Sequence, residues 1–181
     1  MKIRTTLASA IATTVLVAAP AVGVAQTQAA STTQANSLAP VDKEFVQAAS
    51  ESSSTEIDAS KLASKQSQDK DVKDFAHRMM IDHTKLSVQL KIAAPHGVAV
   101  PKDNSDTAVL DALRPLKGRE FDSMYIKKVG VEGHEKAVEA FQKEAQQGQN
   151  AELKKAAQKA LPTIEHHLQM AKALAAKKGV Q

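Results

Sequence analysis

The chain has 181 residues, no cysteine, no tryptophan, one tyrosine, four phenylalanines and a formal charge of +4. Without cysteine there is no disulfide framework, thiolate metal site, cysteine nucleophile or lipid-modified N-terminal cysteine. So few aromatics leave little for bases to stack on, and the alanine-rich composition with seven glycines and six prolines favours helix.

Residues 1–25 have the pattern of a secretory signal. Lys2 and Arg4 make a basic start, Leu7 to Ala19 an apolar stretch, and Gly23 and Ala25 occupy the small-residue cleavage positions. The apolar stretch is shorter than the ~20 residues of a spanning helix, so the expectation is a periplasmic or secreted chain with no transmembrane segment in its mature part. Removing Lys2 and Arg4 lowers the formal charge from +4 to +2. No Lys/Arg cluster with interleaved aromatics is present, so nucleic acid is not an expected partner.

Residues 26–40 carry Gln, Thr, Ser and Ala with almost no bulky apolar side chain, and a flexible leader is expected there. Residues 41–178 are read as one all-α domain, a four-helix bundle. The first helix covers about Val41 to Gln66, with Asp42 as cap and Phe45, Ala49, Ser52, Glu56, Ala59 and Ala63 as its inward stripe. The second runs from a cap at Asp69 to about Ala94, with Val72, Phe75, Ala76, Met79, His83, Leu86 and Leu90 inward. A long connection from Pro95 to Gly118 follows, with a short helix expected over Asp106 to Leu113.

The third helix covers about Arg119 to Gln147, with Met124, Val131, Val138 and Ala145 at heptad spacing and His134 and Phe141 beside them. Its apolar face changes phase near Gly130 and Gly133, which predicts a bulge or a close helix approach. The fourth helix starts after a cap at Asn150 and reaches Lys178, with Leu153, Ala157, Ala160, Ile164, His167, Ala171 and Leu174 inward. Pro162 lies inside it and predicts a kink. Narrow stripes, tight turns near Gln68 and Gln149 and the absence of strand signals support the bundle and exclude an outer-membrane β-barrel.

Each stripe is interrupted by one titratable residue: Glu56, His83, His134 or His167. Counting from the turns puts the partners in each helix pair within about 5 Å along the axis, so all four side chains can converge. Buried singly, such groups are costly, and they need partners. One solution is a transition metal ion (Zn, Fe, Cu or Mn) held by three imidazoles and a carboxylate. Asp82 would then orient an imidazole or add an oxygen, and Glu132 and Tyr125 lie within range. The other solution is a structural hydrogen-bond network among the same Glu, Asp and His side chains.

Met79-Met80-Ile81-Asp82-His83-Thr84, Gly118 to Tyr125, His134, Leu161-Pro162 and His167-Leu168 occur in order. Together they resemble a bacterial family of unknown function labelled "predicted outer membrane protein", within the ferritin-like superfamily. The resemblance spans about Asp42 to Leu174. It implies an exported ferritin-like bundle without an established activity, and it marks Asp82, His83, Asp122, Tyr125, His134 and His167 as motif positions, with Glu56 where such sequences carry an acid. No Glu is followed three residues later by His, so a carboxylate-bridged di-iron site is not expected.

Two functions follow. One is a metal-binding bundle serving metal handling or stress protection. The other is a non-enzymatic envelope stress or interaction module with a polar core. Catalysis at a bound metal, hydrolytic or redox, would further require an open coordination position.

Overall fold

The computed structural model describes residues 38–180. The expected signal and most of the leader lie outside this range. All regular structure among the described residues is helical: α1 (Pro40–Gln66), α2 (Lys70–Ala93), α3 (Thr107–Leu113), α4 (Gly118–Tyr125), a π-helical segment (Ile126–Gly133), α5 (His134–Gln147) and α6 (Ala151–Lys178). No helix in this range is long and apolar enough to cross a membrane.

Side-chain caps explain several boundaries. Asp69 accepts from the N–H groups of Asp71 and Val72, Asp106 from Val109, and Asn150 from Glu152 and Leu153. Helix α1 instead begins with Pro40 at its first turn, where the missing N–H costs nothing, and has no side-chain cap. The expected cap Asp42 serves another element. Its buried carboxylate accepts from the N–H groups of Gln149 (2.8 Å) and Asn150 (3.1 Å) in the α5–α6 turn. At the other end Lys178 bridges Asp69 and Asp71, and Gly179 ends α6 in the left-handed region at φ 68°.

These contacts set the directions. The start of α1 meets the end of α5, and the end of α6 meets the start of α2, so both pairs are antiparallel. Helix α1 packs on α2 and α5, and α6 packs on α5 and α2. Helices α2 and α5 therefore run parallel on a diagonal, and the chain between them must return along the full length of the domain. It does so against α1: Asn104 bonds Ser50 and Ser54, Ser105 bonds Asp58, the Asp106 N–H donates to Thr55, and Gln66 reaches the Arg114 carbonyl.

The rod α4–π–α5 departs from the heptad expectation. Met124, Val131, Val138 and Ala145 are only half-buried, while Phe121, Tyr125, Val129, His134, Ala137, Phe141 and Glu144 face inward. The inward step from Val129 to His134 is five residues, one more than an α-helix would place there, and the π turn supplies the extra residue. Gly130 allows the close approach at this point, since a Cβ there would stand 3.2 Å from the Ala171 Cβ of α6. The bulge and the close approach thus occur together.

The apolar interior falls into two clusters. One gathers Phe75, Met79, Leu113, Phe121, Tyr125 and Ile126. The other gathers Phe45, Leu86, Leu90, Phe141, Leu153 and Ile164. On every long rod a polar side chain separates them: Glu56 lies between Ala49 and Ala59, His83 between Met79 and Leu86, His134 between Val129 and Ala137, and His167 between Ile164 and Ala171.

Candidate metal centre

The π turn presents His134, α2 presents His83 and α6 presents His167. Their exposures are 1%, 0% and 1%, so the three rings are sealed from solvent. Each pair of ring centroids is 5.5 Å apart, and one ring nitrogen from each lies within 4.8 Å of the others.

The outer partners fix which nitrogens carry protons. His134 Nδ1 faces only acceptors: the carbonyls of Gly130 (2.9 Å) and Val129 (3.2 Å) and Glu56 Oε1 (3.2 Å). It must therefore be the N–H, which leaves a lone pair on Nε2. His167 Nε2 lies 3.1 Å from Asp82 Oδ2 and donates to it, leaving the lone pair on Nδ1. That Nδ1 is buried with no hydrogen-bond partner. His83 Nδ1 meets Ser53 Oγ at 3.4 Å, and its Nε2 meets His134 Nε2 at 3.4 Å. Ser53 can donate or accept, so the His83 proton can sit on either nitrogen.

With the proton on Nδ1, His83 and His134 turn their Nε2 lone pairs on each other, and the His167 ring stands 5.5 Å from both, centroid to centroid. The 3.4 Å Nε2–Nε2 separation matches the ~3.3 Å edge of a tetrahedron whose nitrogens lie ~2.0–2.1 Å from a metal. The residues present therefore fit one ion, and the orphaned His167 Nδ1 marks what an ion would satisfy. Left empty, that buried acceptor costs about 1–3 kcal/mol.

Electrostatics keep the rings available. Burial, with His134 and His167 beside it, holds His83 well below the usual imidazole range. Burial lowers His134 to about 4 despite its carbonyl partners. Burial also lowers His167, against the opposing pull of Asp82. Burial pushes the Glu56 carboxyl well above its usual range. All three imidazoles are thus neutral at neutral pH, as ligation requires.

The carboxylates do not join the three nitrogens. Glu56, expected to supply an oxygen, lies behind His134 on Nδ1, and its Oε2 is buried without a partner. Asp82 lies behind His167 with Arg78 and Lys85 each 3.7 Å away, the orienting role of its two expected alternatives. Both acids occupy the outer positions from which carboxylates fix imidazole tautomers. Glu132 instead pairs with Lys128 on an exposed face. Tyr125 is buried among Phe75 and Phe121, with its hydroxyl 3.0 Å from Ser60 Oγ. Asp122 Oδ1 is buried without a partner.

Sequence reasoning missed Ser53. The expected stripe used Ser52, but the α1 stripe buries Ser53 between Ala49 and Glu56. A consecutive run of three serines offers no apolar contrast to choose among them.

No curated protein matches this sequence. A crystal structure of a DUF305 protein from Streptomyces coelicolor, described as secreted, matches with a TM-score of 0.63 at 15% identity, covering 78% of this chain and 95% of that one. At that identity the likeness concerns the fold alone. The profile of the domain of unknown function DUF4142 matches residues 26–174. The match takes in the three histidine-bearing rods and the residues behind them, and the chain belongs to the DUF4142 family.

Proposed function

We propose that this chain is an exported four-helix bundle of ferritin-like arrangement that binds one transition metal ion through His83, His134 and His167. The antiparallel neighbours and the single long return between α2 and α4 support the bundle. The signal pattern of residues 1–25 supports export, as does the description of the DUF305 relative as secreted. The observation that carries metal binding is the three buried imidazoles, with one ring nitrogen from each within 4.8 Å of the others, together with the unpartnered lone pair of His167 Nδ1.

Three neutral imidazole nitrogens suit zinc, copper or iron, with manganese less favoured because it prefers oxygen donors. Asp82 would offset part of the charge of a divalent ion from its outer position, and a fourth coordination position would stay open. Such a centre serves metal handling or protection against metal stress.

The test is zinc and copper titration of protein prepared without a polyhistidine tag, followed by calorimetry and thermal melting. The expected result is one ion per chain and a raised Tm, because an ion that binds only the folded state stabilises it by about 4 kcal/mol at a thousandfold excess over Kd. Substoichiometric binding with an unchanged Tm would refute the reading.

A second reading is favoured by one observation, the chain Ser53–His83–His134–Glu56 of hydrogen-bond distances. Here the polar layer only specifies helix register, as a satisfied buried network does. Under this reading His167→Gln would change stability but no metal-dependent property.

A further inference from the structure

A sealed centre needs a way in. The three imidazoles expose 1% or less of their surface, and no ion can reach them without a route between helices. On one flank α1 stands off the π segment and α5, leaving a cavity of about 570 Å³. Its floor is apolar, with Val129, Ala137 and Phe141. Its α1 wall carries the oxygens of Glu44, Glu51, Ser52, Thr55 and, most buried, Glu56. Its lining also includes Lys43, Lys128 and Lys136.

Glu56 belongs to both spaces. It lines the cavity, is 3% exposed, holds Oε1 against His134 Nδ1 at 3.2 Å and leaves Oε2 buried without a partner. Gly133 lies opposite, where a Cβ would stand 3.5 Å from Oε1, in ordinary van der Waals contact. On the other flank of α1 a cavity of about 290 Å³ is walled by Val88, Val100 and Pro101 and includes none of the residues that bond the imidazole rings.

We propose that the α1–α5 cavity is the route by which a divalent transition-metal cation reaches the three histidines, and that Glu56 is the transfer ligand that receives it. This rests on the metal-binding reading above. Glu44 and Glu51 draw a hydrated cation in, and the hydroxyls of Ser52 and Thr55 replace part of its water. Glu56 then takes the ion on its free oxygen. Rotation of that side chain carries it to the imidazole nitrogens, which replace oxygen because they are better donors for such metals. The Glu56 carboxyl gives up its proton to cavity water as the cation arrives, and otherwise only metal–ligand bonds are made and broken.

Cobalt(II) is the probe, because its visible bands report four-coordinate nitrogen ligation. Uptake is followed by stopped flow and release by a chelator chase, in wild type, Glu56→Gln, Ala140→Trp and the opposite-flank control Val88→Phe. Ala140 lines the cavity without bonding any imidazole, so filling it tests the route apart from the tuning of His134. A blocked route slows entry and exit by the same factor. The expected result is that Ala140→Trp slows both by about tenfold or more at unchanged affinity, that Glu56→Gln slows uptake, and that Val88→Phe matches wild type. Wild-type rates in both Ala140→Trp and Glu56→Gln, with normal cobalt bands, would overturn the route while leaving the metal site standing. Absence of bands in the wild type would overturn both.

Discussion

Two groups of buried polar side chains sit in this domain, one at mid-height and one at the end. At the end, Asp42 is satisfied by two backbone N–H groups of the α5–α6 turn, and Glu144 lies beside it, also buried. At mid-height, three histidines are held from behind by Ser53, Glu56 and Asp82 and bring one ring nitrogen each within 4.8 Å of the others. In the end group Asp42 closes a turn, while Glu144 keeps both carboxyl oxygens buried without a hydrogen-bond partner. The central group engages the outer nitrogens of His134 and His167, leaves Glu56 Oε2 without a partner on the outside, and leaves His167 Nδ1 wanting within. Buried polarity that faces its own backbone is structural, whereas buried polarity that converges on a shared empty direction is prepared for a ligand.

The largest effect that would separate the two groups is loss of metal. His167→Gln or His83→Gln should weaken zinc binding by more than roughly a hundredfold while helical circular dichroism is retained, since the removed ligand exceeds the 10–100-fold effect of an outer partner. Asp82→Asn should weaken binding by about 10–100-fold by loosening the His167 tautomer, measured by calorimetry. Neither change should alter the melting of the α5–α6 turn.

Asp42→Ala should leave metal affinity untouched and lower stability by about 2 kcal/mol in urea denaturation, because two N–H groups lose their acceptor. A wild-type midpoint would show that the turn is held by something else.

The smallest effect sharpens the pH behaviour of the end group. Burial first, and then the neighbouring Asp42 carboxylate, raise Glu144 from 4.5 to about 7. The folded state therefore holds this proton more tightly than the unfolded state. The stability that follows is fully present below the unfolded value and is lost as pH rises through about 7. Glu144→Gln should match wild type near pH 4 and exceed it by about 1–2 kcal/mol near pH 8, the figure being reduced for screening at the domain end. Identical pH profiles for variant and wild type would remove Glu144 as the source.

The helical class, the α2 and α6 caps, the short α3 helix and the three central histidines were all legible in the sequence, the histidines for one reason. An apolar stripe interrupted once makes the exception conspicuous, and Met79–His83–Leu86 and Ile164–His167–Ala171 each show this. The rest depended on tertiary partners. Asp42 looks like a cap of its own helix, and only the docking of the turn onto α1 gives it another use. Glu144 sits among Gln and Lys residues of a helix end and shows no sign of burial until Asp42 packs beside it. Glu56 was placed at the right depth, but which face of His134 it meets depends on the rotation that the π turn imposes. That turn was signalled by the glycines and the phase change. The inward choice of Ala137 over Val138 was not, because the sequence does not show on which residue the extra step falls.

X-ray absorption at the zinc edge of the one-to-one complex tests the central claim most directly. Three imidazole nitrogens at ~2.0–2.1 Å, with the multiple-scattering pattern of histidine and a shell that loses one nitrogen in His167→Gln, is the predicted spectrum. An oxygen-only shell, or a nitrogen count unchanged in His167→Gln, would contradict it.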